Sequence, residues 1–195
     1  MGRSSNTEKR RTQIVRAMEK LMATHGYEKT TITALGEAAG LSPGLVHYHF
    51  SNKQEVLIEL VRDLGRRLSE RHQAACREAG DDARARLEAW LDAHVALGPG
   101  ADAAAVACWT AIAAEAIRQS EVHAVYVEAL QQELQELTGL LQAVRPSGDH
   151  AAMAVALLSA IQGAYLLGTA APEVALRGFA KEAVHALVDG LLLRA

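Results

Sequence analysis

Apolar residues in this chain return every three to four positions, in segment after segment, and nowhere alternate one by one. That period puts them on one face of a helix and excludes the two-residue rhythm of a half-buried strand. Ile14, Met18, Leu21, Met22 and His25 form one such stripe, and Leu57, Leu60, Leu64 and Leu68 form another. Tyr126, Leu130, Leu134, Leu137 and Leu141 make a third, and Leu176, Ala180, Val184, Leu187 and Leu191 a fourth. Composition bears on the same point: 38 of 195 residues are alanine and aromatics are only 4%, a mix suited to close-packed helices rather than sheets. With half the chain apolar and 22% charged, disorder is excluded and a buried core is expected. The fold class is all-α, with about nine helices.

Cap and breaker residues set the expected boundaries. Ser5-Asn6-Thr7-Glu8 has capping-box spacing, so the first helix is expected to start near Asn6 and to stop at Gly26. Thr33 is the expected cap of a short second helix that closes at Gly40. Ser42 followed by Pro43 opens a third, ending near Phe50. Ser51-Asn52-Lys53-Gln54 repeats the capping-box pattern and starts a long fourth helix that fades near Gly80. Further helices are expected over 81–97, 102–118, 121–144 and 149–171, and from Pro172 onward, with Gly98-Pro99-Gly100 as the clearest loop.

Between Asp149 and Glu173 there is no formal charge, a length that would span a bilayer. The stretch carries His150, Ser159, Gln162 and Tyr165, however, and acidic flanks stand where a spanning helix has basic or aromatic anchors. A helix packed against other helices is the expected reading, with no membrane partner. Residues 1–6 miss the myristoylation pattern and precede no apolar run, so no secretory signal is expected. Cys76 and Cys108 are too few for a disulfide framework, which makes the cytoplasm the expected location. The net charge of −3 is uneven. Residues 1–55 hold eight Lys/Arg against five Glu, and residues 56–195 hold twelve against eighteen acids. A basic head on an acidic body points to a polyanion met by the head alone.

The segment from Thr33 to Phe50 carries the most specific pattern. Two short helices with a tight turn need a small residue where the backbones cross, a residue tolerant of positive φ at the turn, and an apolar anchor on the second helix. Gly36, Gly40 and Val46 fill those places, with Leu35, Ala39 and Leu41 as further buried contacts. With Val46 and Phe50 inside, Pro43, Gly44, His47 and Tyr48 can face outward, short or planar groups suited to base edges and sugars. Thr30, Thr31, Thr33, Ser42, His49 and Lys53 stand around them as hydrogen-bond donors. Arg3, Lys9, Arg10 and Arg11 form a basic arm within reach of a nucleic-acid backbone or minor groove, although a basic chain start also occurs simply as solvated charge.

Gly26-Tyr27-Glu28-Lys29-Thr30-Thr31-Ile32-Thr33, then Ala38-Ala39-Gly40-Leu41-Ser42-Pro43-Gly44, then His49-Phe50-Ser51-Asn52-Lys53-Gln54-Glu55-Val56-Leu57 resembles the TetR family of bacterial transcriptional regulators over residues 8–60. The resemblance implies a three-helix helix-turn-helix domain over 1–52, and a helical ligand-binding and dimerisation domain over 53–195. It implies that Gly44, Leu45 and His47 lie nearest the bases of double-stranded DNA, while Thr31, Thr33, Ser42, Tyr48, His49 and Lys53 hold phosphates. Many relatives carry tyrosine at the position of His47; here the aromatic is displaced to Tyr48, which leaves the roles of the two neighbours open.

A single short recognition helix buries too little surface for tight binding, so such modules act as symmetric dimers on palindromic operators. Ala152, Ala156, Ser159, Ala160, Gly163 and Ala164 let another helix approach closely, and Leu187 and Leu191 add bulk, so the last two helices are the expected homodimer contact. The resemblance points to the same helices, and implies that the middle helices enclose a pocket for a largely apolar small-molecule effector. Trp90, His94, Trp109, Tyr126, Gln162 and Tyr165 suit its lining, although the same residues also serve as core filler in an Ala-rich bundle. The run Trp109-Thr110-Ala111-Ile112-Ala113-Ala114-Glu115-Ala116 is faintly similar to the sensor half of choline-responsive members and leaves the effector unnamed. The expected function is a ligand-responsive repressor in which effector binding shifts the long fourth helix and releases DNA. No Gly-rich phosphate loop, nucleophile elbow or His-Glu-x-x-His helix occurs in the sequence, so neither an enzyme nor a metal or other cofactor is expected. Two alternatives remain at this point: a helical adaptor for protein partners, and a metal or redox sensor built on His72 and Cys76, four apart on one helix.

Overall fold

The structure is a computed structural model and describes residues 2–95, 102–174 and 178–193, with side chains from Asn6 onward. Among the described residues there are nine helices and no strand. They are α1 (Gly2–Lys29), α2 (Ile32–Ala39), α3 (Pro43–His49), α4 (Lys53–Glu78), α5 (Ala83–Val95), α6 (Ala103–Ala116), α7 (Ser120–Val144), α8 (His150–Ala170) and α9 (Phe179–Leu193). The Arg3 side chain, Leu97, the Gly98-Pro99-Gly100 loop and Leu176 lie outside the described residues.

Four expected boundaries are corrected. The first helix begins at Gly2 rather than near Asn6, because nothing from Arg3 to His25 interrupts helical propagation and the Ser5–Glu8 spacing falls inside it. Gly26 does break it, with φ 76° and ψ 170°. The cap of α2 is Thr31, not Thr33: its hydroxyl accepts from the Ala34 amide at 3.1 Å, and Ile32 and Thr33 join the first turn. The α4 cap is shifted one residue from the expected box, with Asn52 Oδ1 accepting from Glu55 N at 2.8 Å while Glu55 Oε2 accepts from Ser51 N at 2.7 Å. The last helix starts at Phe179, not at Pro172; residues 172–174 form a turn after α8.

The chain divides into two compact units, and α4 and α7 each run from one into the other. Residues 1–64 and 103–127 form the first. Here α1 packs on α2, α3 and α6, and Ile14, Met18, Leu35, Val46, Phe50, Leu57 and Ile112 are fully buried. Residues 65–102 and 128–195 form the second. Its core joins Leu87, Trp90 and Leu91 of α5, Leu137 and Leu141 of α7, Leu157 and Ile161 of α8, and Val184 and Val188 of α9. Truncating any one of these large side chains to alanine costs about 2–5 kcal/mol.

Candidate nucleic-acid interface and buried polar cluster

The turn between α2 and α3 is built by backbone chemistry that only particular residues permit. Gly40 closes α2 in the left-handed region, φ 64° and ψ 35°. Its amide donates to the Glu37 carbonyl and the Leu41 amide to the Gly36 carbonyl, the two bonds of a Schellman cap. Gly36 is where the chain returns across the helix: a Cβ there would stand 2.8 Å from the Leu41 carbonyl oxygen. Ser42 then caps α3 by accepting from Leu45 N at 3.2 Å. Long polar side chains of α1 brace the pair from behind. Gln13 Nε2 donates to the Ala39 carbonyl, and Arg11 Nη1 donates to the His49 carbonyl at 2.6 Å. The Arg11 guanidinium also lies over the Phe50 ring at 4.1 Å and 3.5 Å from Glu59 Oε2. Arg11 is therefore an internal brace on α3; Lys9 remains exposed on the expected arm, and Arg10 turns to Gln13 at 3.0 Å.

On the outer side, Thr31, Thr33, Ser42, Pro43, Gly44, His47 and Tyr48 are all exposed, Tyr48 at 76%. Leu45 and His49 are half-buried, with the His49 ring edge-on to Tyr48. A Cβ at Gly44 would meet nothing within 4 Å, so no packing requirement explains its missing side chain. The capping hydroxyls of Thr31 and Ser42 accept from backbone amides, which leaves their own protons free for an outside acceptor. Lys53 behaves differently. Its ammonium sits 4.0 Å above the Tyr27 ring and donates to the Tyr27 carbonyl at 3.0 Å, one of its three protons.

A second group of polar and aromatic side chains lies inside the unit formed by 65–102 and 128–195. The rings of His72 on α4 and of Trp90 and His94 on α5 stand with centroids 4.3–4.4 Å apart. Tyr165 on α8 donates its hydroxyl proton to the His94 carbonyl at 3.1 Å, and the same oxygen is 2.9 Å from His94 Nδ1. A hydroxyl whose proton is used can only accept from the ring, so Nδ1 carries the imidazole hydrogen and Nε2 keeps a lone pair. Opposite that lone pair, at 3.7 Å, is Glu133 Oε2. Neither oxygen of Glu133, nor His94 Nε2, nor either nitrogen of His72, nor Gln162 Nε2 has a hydrogen-bond partner among the described residues. Each such buried orphan costs about 1–3 kcal/mol.

Glu136, one turn along α7, is the contrast. It accepts from Ser69 Oγ at 2.8 Å, Trp90 Nε1 at 3.3 Å and Gln132 Nε2 at 3.4 Å, with His72 Nδ1 3.5 Å away. Burial pushes its carboxyl up, but His72 and these donors outweigh burial and hold it at about 2. Glu133, buried without donors and beside the Glu136 charge, is pushed up to about 8. Burial also pushes both imidazoles down, His94 furthest, with His72 and Arg71 adding to it. Near neutral pH the cluster thus holds two neutral imidazoles, one carboxylate and one carboxylic acid around an indole. Aromatic faces and acidic oxygens in a water-poor site attract cations. A cavity of about 440 Å³ on the same unit is lined by Val95, Gly178, Lys181, Glu182 and His185. Two of its polar groups are already engaged, since Lys181 Nζ and His185 Nε2 both reach Asp92 at 2.8 Å.

The helix pair and the helical fold around it have counterparts among known proteins. The family model described as "Bacterial regulatory proteins, tetR family" matches residues 14–60, and the "BetI-type transcriptional repressor, C-terminal" model matches residues 83–193. This chain belongs to the TetR family. The regulator is 30% identical to the HTH-type transcriptional regulator BetI of Rhizobium meliloti (strain 1021) over 160 residues, 80% of this chain and 76% of that one. It is 38% identical over 68 residues to the transcriptional repressor AcnR of Corynebacterium diphtheriae, 34% of this chain and 36% of the relative. Among solved structures, a transcriptional regulator from Saccharomonospora viridis in complex with choline superposes with a TM-score of 0.84 at 19% identity, over 93% of this chain and 96% of that one.

Of the six residues expected to line the regulator's pocket, Trp90, His94, Gln162 and Tyr165 belong to the unit that holds the ring cluster. Trp109 and Tyr126 belong to the other unit, with ring centroids 5.0 Å apart and planes tilted by 39°. Sequence reading missed Glu133 and Glu136. A signal existed: Glu133 lies three residues after Leu130 and four before Leu137, on the apolar stripe of α7. Cys76 Sγ contacts the Arg86 carbonyl at 3.4 Å, and burial pushes its thiol up, the opposite of an activated thiolate. Among the described residues no group of three or more His, Cys, Asp or Glu side chains is placed to hold a metal ion.

On α8, Ala152, Ser159 and Gly163 are exposed, and Ala156, Ala160 and Ala164 are half-buried. On the same helix Val155 and Leu166, absent from the expected set, are 52% and 53% exposed. Leu187 and Leu191 are half-buried on α9, packed against the core.

Proposed function

We propose that this regulator binds a palindromic operator as a homodimer, and that a compact cation of the choline type, held in the cluster around Trp90, releases it. In this reading residues 1–52 read DNA and residues 53–195 sense and dimerise. The observation that carries the effector half is the set of buried polar atoms without partners facing aromatic rings. A quaternary ammonium brings an apolar shell for those rings and a charge for the two carboxyls. The BetI relatives and the choline complex of the Saccharomonospora viridis protein support the same ligand class.

The exposed α8 row of Ala152, Val155, Ser159, Gly163 and Leu166 supports pairing with a second copy, since small residues allow close approach and two larger ones interdigitate. Coupling runs along α4. Lys53 stands at its first turn and His72 about five turns later on the same helix. A cation that parts His72 from Trp90 and His94 displaces that helix and changes the separation of the two recognition helices. Half-sites lie about 35 Å apart, so a mismatch of a few ångströms prevents simultaneous engagement. Effector and operator then oppose each other reciprocally.

Selection of bound duplexes from a random pool, with and without choline chloride, tests both halves. The expected result is a two-fold symmetric site whose half-sites are one helical turn apart, with occupancy lowered by choline. Selected duplexes without symmetry overturn the dimeric readout; occupancy unchanged at saturating choline overturns the effector.

A further inference from the structure

The orphaned carboxyl of Glu133 faces a lone pair. Tyr165 fixes the His94 tautomer, so Nε2 is an acceptor, and an acceptor 3.7 Å from a carboxylate oxygen repels it unless a proton lies between. Two further negative or electron-rich groups face the same place: Glu136 on α7, ionised and saturated with donors, and the Tyr165 phenol on α8, pushed up by burial and by Glu133. On the α4 side the groups are His72, pushed down by burial and with Nδ1 3.5 Å from Glu136 Oε2, and Arg71, whose Nε has no hydrogen-bond partner among the described residues. No donor among the described residues hydrogen-bonds to either Glu133 oxygen. The neutral acid is the protonation state that this surrounding accommodates, with its O–H directed at the His94 lone pair.

We propose that Glu133 is held as a carboxylic acid in the effector-free regulator and gives up its proton to solvent when a cationic effector enters the cluster, so that sensing is coupled to proton release. The O–H bond of Glu133 breaks, the electron pair stays on the carboxylate to balance the incoming charge, and the proton leaves to bulk buffer. This rests on the cluster being the effector site. The device makes the regulator more responsive to the same effector as the surroundings become alkaline. The imidazoles do not blur the effect, because both sit below their ordinary value near 6.5, whereas Glu133 titrates near 8. Between those limits Glu133 is the group of the cluster that changes charge.

Calorimetric titration of choline chloride into the full chain, in buffers of different ionisation enthalpy at about pH 7, counts the protons exchanged. Close to one proton released per choline is expected, with affinity rising about tenfold per pH unit up to about 8 and flat above it. Glu133→Gln is expected to bind about 10- to 100-fold more weakly, with neither proton release nor pH dependence. The uncharged carbon isostere dimethylbutanol is expected to bind wild type without releasing a proton. Choline binding with no proton release overturns the proposal and leaves the cluster as a cation site. If choline does not bind at all, the effector reading fails, and the protonation state is read directly by infrared difference spectroscopy of wild type against Glu133→Gln. A carboxylic-acid carbonyl band present at about pH 7 and lost in the variant supports the held proton on Glu133 while the coupling falls with the effector reading, and its absence overturns the proposal.

Discussion

The α2–α3 pair and the Trp90 cluster place their chemistry on opposite terms with water. Around the helix pair the inward polar groups are satisfied: Gln13 and Arg11 reach backbone carbonyls, Thr31 and Ser42 cap helices, and what remains is a bare outer face. In the cluster the polar atoms are inside and several lack partners. A polyanion approaches from outside and needs a rigid surface with nothing in the way, so the fold spends its polar groups on bracing. On the proposed reading, an enclosed small molecule would supply interactions to these unpartnered groups, which otherwise stand at a cost in stability. The difference says that substitutions on the outer face should change binding without folding, while substitutions in the cluster should change both.

The sharpest test of the first half is Gly44→Leu. The position is open to 4 Å, so the melting temperature should stay within about a degree of wild type. A bulky side chain between α3 and the base edges should lower specific operator affinity by about 10³-fold while weak nonspecific binding persists. Equal affinities measured by fluorescence anisotropy on the selected palindrome would remove α3 from the groove.

Glu133 tests the second half. An acid with its folded value raised to about 8 gives stability that is fully present below its ordinary 4.5 and is lost as pH rises through about 8. Urea denaturation should therefore show wild type weakening by up to about 1.4 kcal/mol per pH unit across that window. Glu133→Gln should be flat there and more stable than wild type at alkaline pH. Glu136 acts in the reverse sense and in a lower window, its contribution disappearing as pH falls from 4.5 towards about 2. A wild-type profile that is level between pH 5 and 8 would mean that Glu133 is already paired.

How much of this is legible in sequence follows the same divide. The helix pair is local: Gly36, Gly40, Ser42 and Pro43 act on neighbours within a few positions, so turn chemistry identifies them. The helix start at Gly2 and the shifted caps of α2 and α4 were not legible, because adjacent Thr, Ser and Asn residues offer equivalent caps and tertiary packing chooses among them. The cluster joins α4, α5, α7 and α8, with partners up to 71 positions apart. Aromatic and imidazole members stood out by type, whereas Glu133 and Glu136 were lost among the acids of a long amphipathic helix. The spacing of Glu133 from Leu130 and Leu137 is a signal that it shares their buried stripe, and only its surroundings show that it lacks a hydrogen-bond partner.

Gly36→Ala asks whether bracing, rather than the outer face, makes the helix pair. The added carbon meets a backbone oxygen at 2.8 Å, which cannot rotate away, so the variant should lose about 1–3 kcal/mol by thermal unfolding. Its operator affinity should fall only in proportion to the unfolded fraction.

The smallest effect is expected at Lys53, which belongs to both sides of the comparison. Its ammonium is tied to Tyr27 through one hydrogen bond and the ring face, a contact worth about 0.5–1 kcal/mol at a partly exposed site. Two of its protons remain for a phosphate. If both uses are real, Lys53→Ala should reduce the slope of log affinity against log salt by about 1 and lower thermal stability slightly. A stability loss with an unchanged salt slope would assign Lys53 wholly to bracing, beside Arg11. An altered slope with unchanged stability would make the Tyr27 contact a resting place, one that the ammonium leaves when DNA arrives.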